Sequence, residues 1–134
     1  MPFDGKILLA DDEAHIRKFV GLILRQLGSP TIIEATNGAQ AFELYQSERP
    51  DLVLLDVNMP EVDGLQALEK IHAFDPDCAV IMLTSLTTRS IIERAAELGA
   101  VNYIRKDTPK DEILSTLRQI LDTLFEPDGE TNNT

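Results

Sequence analysis

Short aliphatic runs alternate along the chain with longer stretches in which apolar residues recur every three or four positions. Runs over 6–10, 31–35, 52–55, 79–83 and 101–105 have the length and composition of strands. Between the first two, Ile16, Phe19, Val20, Ile23, Leu24 and Leu27 predict an amphipathic helix that stops at Gly28. Asn37, three residues before Gln40, marks the next helix start, with Ala41, Phe42, Leu44 and Tyr45 as its apolar face up to Pro50. Asp63, three before Gln66, caps a helix that turns Leu65, Leu68, Ile71 and Phe74 inward. A helix from about Thr88 is expected to bury Ile91, Ile92, Ala95 and Leu98 before Gly99. In Thr108-Pro109-Lys110-Asp111 an N-cap hydroxyl precedes a proline at the first helical position. The helix that follows carries Ile113, Leu114, Leu117, Ile120, Leu121 and Leu124. The polar residues 126–134 are expected to form a disordered tail on a single domain over 1–125.

Strands and helices that alternate at this spacing imply right-handed crossovers and an α/β fold, a parallel sheet covered on both faces. Leu52-Val53-Leu54-Leu55 is apolar at every position, the pattern of a central strand buried on both sides. Asp56 follows it directly. Alone, Asp56 reads as a turn cap, because Asp often starts turns. All strands of such a sheet point their carboxyl ends at one rim, however, and that rim is where ligands bind. The first strand delivers Asp11 and Asp12 there, the third Asp56, the fourth Thr84 and the fifth Lys106. Carboxylates gathered in one cleft repel unless a cation sits among them. Oxygen ligands without Cys or His favour a hard ion, Mg²⁺ or Mn²⁺. Carboxylate, hard cation, hydroxyl and ammonium together suit a phosphoryl group, with one carboxylate free to attack phosphorus. His15 and His72 fall within helices away from that rim and are neither donors nor ligands.

Charge narrows the partners. The 134 residues carry 23 acidic and 12 basic side chains, a formal net charge of -11. Such a surface repels nucleic-acid phosphates and anionic lipid, so neither direct nucleic-acid binding nor membrane binding is expected. No apolar run approaches the roughly 20 residues of a membrane span. Met1-Pro2-Phe3-Asp4-Gly5-Lys6 lacks the features of a secretory signal, and a cytoplasmic location is expected. Cys78, the single cysteine, reads as a reduced structural residue.

Four stretches together resemble the response-regulator receiver domain of two-component signalling, over about 6–125. They are Leu8-Leu9-Ala10-Asp11-Asp12-Glu13, Leu54-Leu55-Asp56-Val57-Asn58-Met59-Pro60 with Asp63-Gly64 beyond, Ile81-Met82-Leu83-Thr84-Ser85, and Tyr103-Ile104-Arg105-Lys106. Each is weak alone; all four in order at strand ends are specific. The resemblance implies a flavodoxin-like doubly wound sheet of five strands, order 2-1-3-4-5, with five helices. It implies Asp56 as phosphoacceptor, and Mg²⁺ held by Asp11, Asp56 and the backbone carbonyl of Asn58, with Asp12 joining through water. Lys106, the Thr84 hydroxyl and the Ser85 N–H would contact the phosphoryl oxygens. Tyr103 would be the switch aromatic that swings inward as Thr84 moves toward phosphate.

The implied function is transfer of a phosphoryl group from a histidine kinase or phosphotransfer protein to Asp56, with slow hydrolysis afterwards. A changed surface around the last strand and last two helices would then meet a downstream protein target, the chain being a monomer or a phosphorylation-dependent dimer. With no output domain in view, the chain acts alone on a partner or is a fragment of a longer protein. Three rivals stand beside this reading: a Mg²⁺-dependent aspartyl phosphatase, a flavin or nucleotide binder, and a degenerate receiver that only mediates contacts. The first wants an Asp-x-Asp pair after the first strand and a cap; the second wants a glycine-rich phosphate loop. Asp107 is the best support for the third, because the family commonly has proline after the lysine, frequently with a cis bond. A non-proline cis bond costs about 3–4 kcal/mol, so the bond before Asp107 is expected trans unless the fold enforces otherwise. Asp107 also sets a negative charge beside Lys106, which is expected to weaken its hold on phosphate. Asn58 and Leu86 lie where the family tunes the lifetime of the phosphoryl group.

Overall fold

The chain alternates as its pattern predicts, through β1 (Lys6–Ala10), α1 (Ala14–Leu24), β2 (Thr31–Ala35), α2 (Gly38–Glu48), β3 (Leu52–Leu55), α3 (Gly64–Phe74), β4 (Val80–Thr84), α4 (Arg89–Glu97), β5 (Asn102–Arg105) and α5 (Lys110–Phe125). This computed structural model describes residues 2–59, 62–85 and 88–125. Pro60, Leu86 and the expected tail over 126–134 lie outside the described residues. The strands form one parallel sheet in the order β2-β1-β3-β4-β5, as expected.

Successive side chains of a strand point to opposite faces, and here both faces are dry. Leu8, Ala10, Val53, Leu55, Val80 and Met82 pack with the inward residues of α2, α3 and α4. Ile7, Leu9, Leu52, Leu54, Ile81 and Leu83 pack with those of α1 and α5. Leu52 through Leu55 are fully buried, which confirms the central-strand reading.

Local sequence explains most helix ends. Asn37 accepts the Gln40 N–H at 2.8 Å, while the Gln40 carboxamide oxygen accepts from the Thr36 N–H. Asp63 and Gln66 form a reciprocal capping box. A 3-10 turn over Arg25–Leu27 ends the first helix before Gly28, whose φ of 151° and close approach to the Phe3 carbonyl exclude a side chain. The last helix starts one residue later than expected, its first bonds being accepted by the Pro109 carbonyl.

Six inward assignments are corrected. Phe19 is 38% exposed because it shares its side of α1 with Leu22 and Gln26, both exposed, while the buried stripe runs through Val20, Gly21, Ile23 and Leu24. Phe74 ends α3 beyond the sheet and packs edge-on against Phe42 and Tyr45, with the Arg49 guanidinium 5.0 Å from its ring centre. Leu124 is exposed in the last turn of α5. Of the four residues expected to be buried in and after α4, only Ala95 is; Ile91, Ile92 and Leu98 are half-buried because α4 covers the thinly packed β5 side of the sheet.

Candidate functional site

Hydrogen bonds that run on past the strands fix the carboxyl rim. The Asp11 N–H donates to the Ala35 carbonyl at 3.0 Å, Asp56 N–H to Ala10 at 2.9 Å, and Lys106 N–H to Thr84 at 3.0 Å. Asp11, Asp56 and Lys106 are thus each the first residue beyond a strand, still held in register by the neighbouring one, while Thr84 is the last residue of β4. Asp11, Asp56 and Thr84 are buried at 0%, 2% and 2% exposure, the only buried polar or charged residues among those described.

Lys106 closes the cluster. Its Nζ lies 2.7 Å from Asp11 Oδ2, 3.2 Å from Asp56 Oδ2 and 3.4 Å from Glu13 Oε1. Asp11 Oδ2 accepts no well-directed hydrogen bond, so the ammonium holds it by charge and proximity. Burial, followed by the charge of Asp11, pushes the Asp56 carboxyl up to about 6, against the opposing pull of Lys106. Burial draws the Lys106 ammonium down, yet its contacts with Asp11 and Asp56 outweigh that and leave it raised.

The rest of the predicted set divides by exposure. Asp12 is exposed but offers an oxygen to the same cluster. Asn58 is exposed, its N–H 3.4 Å from Asp56 Oδ1, and Ser85 is exposed beyond Thr84. Gly64 pins the loop after β3: its N–H donates to the Val57 carbonyl at 2.8 Å, and a Cβ there would collide with the Asp56 carbonyl. Tyr103 lies on the outer face of β5, 40% exposed. Cys78 is buried and its thiol is pushed up to about 11, first by desolvation and then by Asp75, as befits an unreactive residue.

Asp107 is engaged by Arg105. The Lys106–Asp107 bond is trans, and Lys106 reaches the carboxylates regardless. Arg105 takes Asp107 in a two-pronged contact, Nε to Oδ1 at 3.0 Å and Nη2 to Oδ2 at 2.8 Å. The Asp107 carboxylate is therefore already neutralised by a guanidinium next to it in the loop.

Asp11, Asp12 and Asp56 each present an oxygen within 4.8 Å of the others. One ammonium does not balance three carboxylates, and the donors are all hard oxygen, so the site fits a divalent cation of the Mg²⁺ type. Among the described residues no helix is long and apolar enough to cross a membrane.

The family model for the response regulator receiver domain matches residues 7–118. The chain belongs to this family. The receiver is 37% identical to the chemotaxis protein CheY of Bacillus subtilis over 116 residues, spanning 87% of this chain and 97% of that protein. It is 35% identical over 116 residues to sporulation initiation phosphotransferase F of the same organism, covering 87% and 93% of the two. A chain of the CheX-CheY-BeF3-Mg²⁺ complex from Borrelia burgdorferi superposes on it with a TM-score of 0.82 at 27% identity, covering 87% of this chain and 88% of that one. The receiver is thus homologous to phosphoacceptor response regulators of two-component signalling.

Two residues of the receiver's site carried no role in the sequence reading. Glu13, third of the acidic run, reaches Lys106 and donates its N–H to Asp11 Oδ1 at 2.9 Å. Arg17 donates to the Asp11 carbonyl at 2.7 Å. A signal for Arg17 was present: it stands three and seven residues before Val20 and Leu24, a charge on the buried stripe of α1.

Proposed function

We propose that Asp56 is the phosphoacceptor, and that Asp11, Asp12, Asp56 and the Asn58 carbonyl hold Mg²⁺. The observation that supports this most directly is the single Lys106 ammonium lying against both Asp11 and Asp56. An Asp56 oxygen attacks the phosphorus of a phosphohistidine on a kinase or phosphotransfer protein. The P–N bond breaks, its electron pair stays on the imidazole, and the imidazole nitrogen takes a proton. Lys106 releases Asp56 and meets the negative charge arriving on the phosphoryl oxygens, and the Thr84 hydroxyl donates to one of them. Bound Mg²⁺ supplies charge neutralisation for those oxygens. The acyl phosphate is then lost slowly to water, assisted by the same residues.

Phosphorylation adds about two negative charges beside Thr84, which biases a pre-existing equilibrium of the β4–α4 and β5 region. Tyr103, outward at 40% exposure, is the resting position of a switch that turns inward and alters the α4-β5-α5 surface for a protein target. The net charge of -11 supports a cytoplasmic protein partner over nucleic acid or membrane. Incubation with acetyl phosphate and Mg²⁺ is expected to add one phosphoryl mass by intact mass spectrometry, abolished by Asp56→Asn. An adduct that survives Asp56→Asn refutes the assignment. Tyr103→Ala is expected to abolish partner binding that depends on phosphorylation or beryllofluoride while leaving the adduct intact.

A further inference from the structure

Arg17 occupies a costly place. Its side chain is 15% exposed, on the side of α1 that faces the sheet. A guanidinium drawn this far out of water is stabilised where its donors find acceptors. Here Nη1 donates to the Asp11 carbonyl oxygen at 2.7 Å and Nε to Glu34 Oε1 at 2.7 Å. Glu34 is placed by β2, in register with Leu9 of β1. The guanidinium therefore bridges the first turn of α1, the end of β1 and the outer strand.

Three of the four polar groups of Asp11 are anchored elsewhere. Its N–H is held by Ala35, Oδ1 by the Glu13 N–H, and Oδ2 by Lys106. The carbonyl is the remaining group, and Arg17 is its partner. Three carboxylate oxygens drawn within 4.8 Å repel one another and tend to open the turn that carries Asp11 and Asp12. We propose that Arg17, oriented by Glu34, is a positioning residue that holds the acidic turn over 11–13 closed for the divalent cation. This rests on reading Asp11, Asp12 and Asp56 as a cation site. A planar guanidinium can satisfy the carbonyl and Glu34 at once from two edges, whereas an ammonium at that distance serves one well.

The test titrates Mg²⁺ alone into the full chain by calorimetry and measures amide hydrogen exchange without metal. Outer partners of metal ligands are typically worth 10–100-fold in affinity, so Arg17→Gln is expected to weaken Mg²⁺ binding by about that factor. Arg17→Lys should fall between it and wild type, and Glu34→Gln should lose roughly threefold, as expected for a group acting through Arg17. In the metal-free protein the Glu13 amide, which reports the closed turn, should exchange about tenfold faster in Arg17→Gln while the Leu54 amide of the central strand is unchanged. At saturating Mg²⁺ the rate of phosphorylation by acetyl phosphate should return to the wild-type value. Wild-type Mg²⁺ affinity and Glu13 exchange in Arg17→Gln overturn the inference. If Arg17→Gln does not fold, the same two measurements on Arg17→Lys and Glu34→Gln decide it, and wild-type values in both overturn it. Absence of Mg²⁺ uptake by the wild type instead refutes the cation-site reading, and Glu13 exchange then decides the role of Arg17 alone.

Discussion

Asp11 and Asp56 share one ammonium, with Lys106 Nζ 2.7 Å from an oxygen of the first and 3.2 Å from an oxygen of the second. One residue contributed by the edge strand β5 thus offsets the repulsion between two carboxylates contributed by the central strands. In the proposed phosphoacceptor role, the ammonium that now pairs with Asp56 is the group that would meet the arriving phosphate.

That offset is incomplete, which gives Asp56→Asn a predicted sign. The Asp56 carboxyl is raised from 3.8 to about 6 in the folded protein. A raised acid contributes stability below its unfolded value of 3.8 that is lost as pH climbs through about 6. At pH 7.5 the ionised group therefore destabilises the metal-free fold, by roughly 1–3 kcal/mol. Asp56→Asn is expected to raise the thermal midpoint at pH 7.5 by several degrees, a gain that fades by about pH 4. Scanning calorimetry at the two pH values checks this; a lower midpoint at pH 7.5 would contradict the raised carboxyl.

In the proposed site, proton and Mg²⁺ compete for the Asp56 carboxylate. Mg²⁺ affinity is expected to rise with pH up to about 6 and then level, with proton release on binding below that value. Calorimetric titrations in buffers of different ionisation enthalpy measure the protons released. A flat profile between pH 5 and 7 would mean Asp56 is not among the ligands.

Lys106→Met removes the shared cation and leaves two buried carboxylates facing each other. Breaking a buried ion pair from one side typically costs 3–5 kcal/mol, and the side chain here is 11% exposed, so about 2–4 kcal/mol is expected at pH 7.5. In urea melts the cost should shrink in the Asp56→Asn background, because one of the two uncompensated charges is gone. Equal costs in both backgrounds would show that Lys106 stabilises through packing instead.

How much of this was legible beforehand depends on the distance over which each feature is encoded. The strand runs, the Asn37 and Asp63 caps and the order of the rim residues are local, and their pattern placed Asp11, Asp56, Thr84 and Lys106 correctly. Which of two apolar residues at an amphipathic edge faces inward is not local, and Phe19 and Phe74 were misplaced for that reason. Arg17 and Glu13 escaped because their partners, the Asp11 carbonyl and Lys106, are a backbone atom and a residue 93 positions away. The Asp107 carboxylate looked like a hazard because its neutralisation by Arg105 depends on how the loop turns.

Gly64→Ala tests how tightly the loop is pinned to the acceptor. A methyl group there meets the Asp56 carbonyl oxygen and the Val57 backbone, which cannot move without shifting Asp56 itself. Overpacking of this kind costs about 1–3 kcal/mol. The variant is expected to lose that stability in urea melts and to accept phosphoryl from acetyl phosphate at least tenfold more slowly. Normal phosphorylation by a destabilised protein would mean the loop yields and the acceptor does not.

Asp107 supplies the opposite expectation. Its carboxylate is exposed and gripped by Arg105, pointing its charge at a guanidinium in place of Lys106. Exposed pairs of this kind add little to stability, so Asp107→Ala should leave the thermal midpoint within error. It should also leave the phosphorylation rate by acetyl phosphate unchanged. Arg105→Ala is the sharper probe, since it frees the Asp107 carboxylate one residue from the ammonium. Slower phosphorylation in Arg105→Ala, restored in the double variant with Asp107→Ala, would show that the guanidinium shields Lys106. Slowing that the second substitution does not restore would assign Arg105 a direct role in the reaction instead.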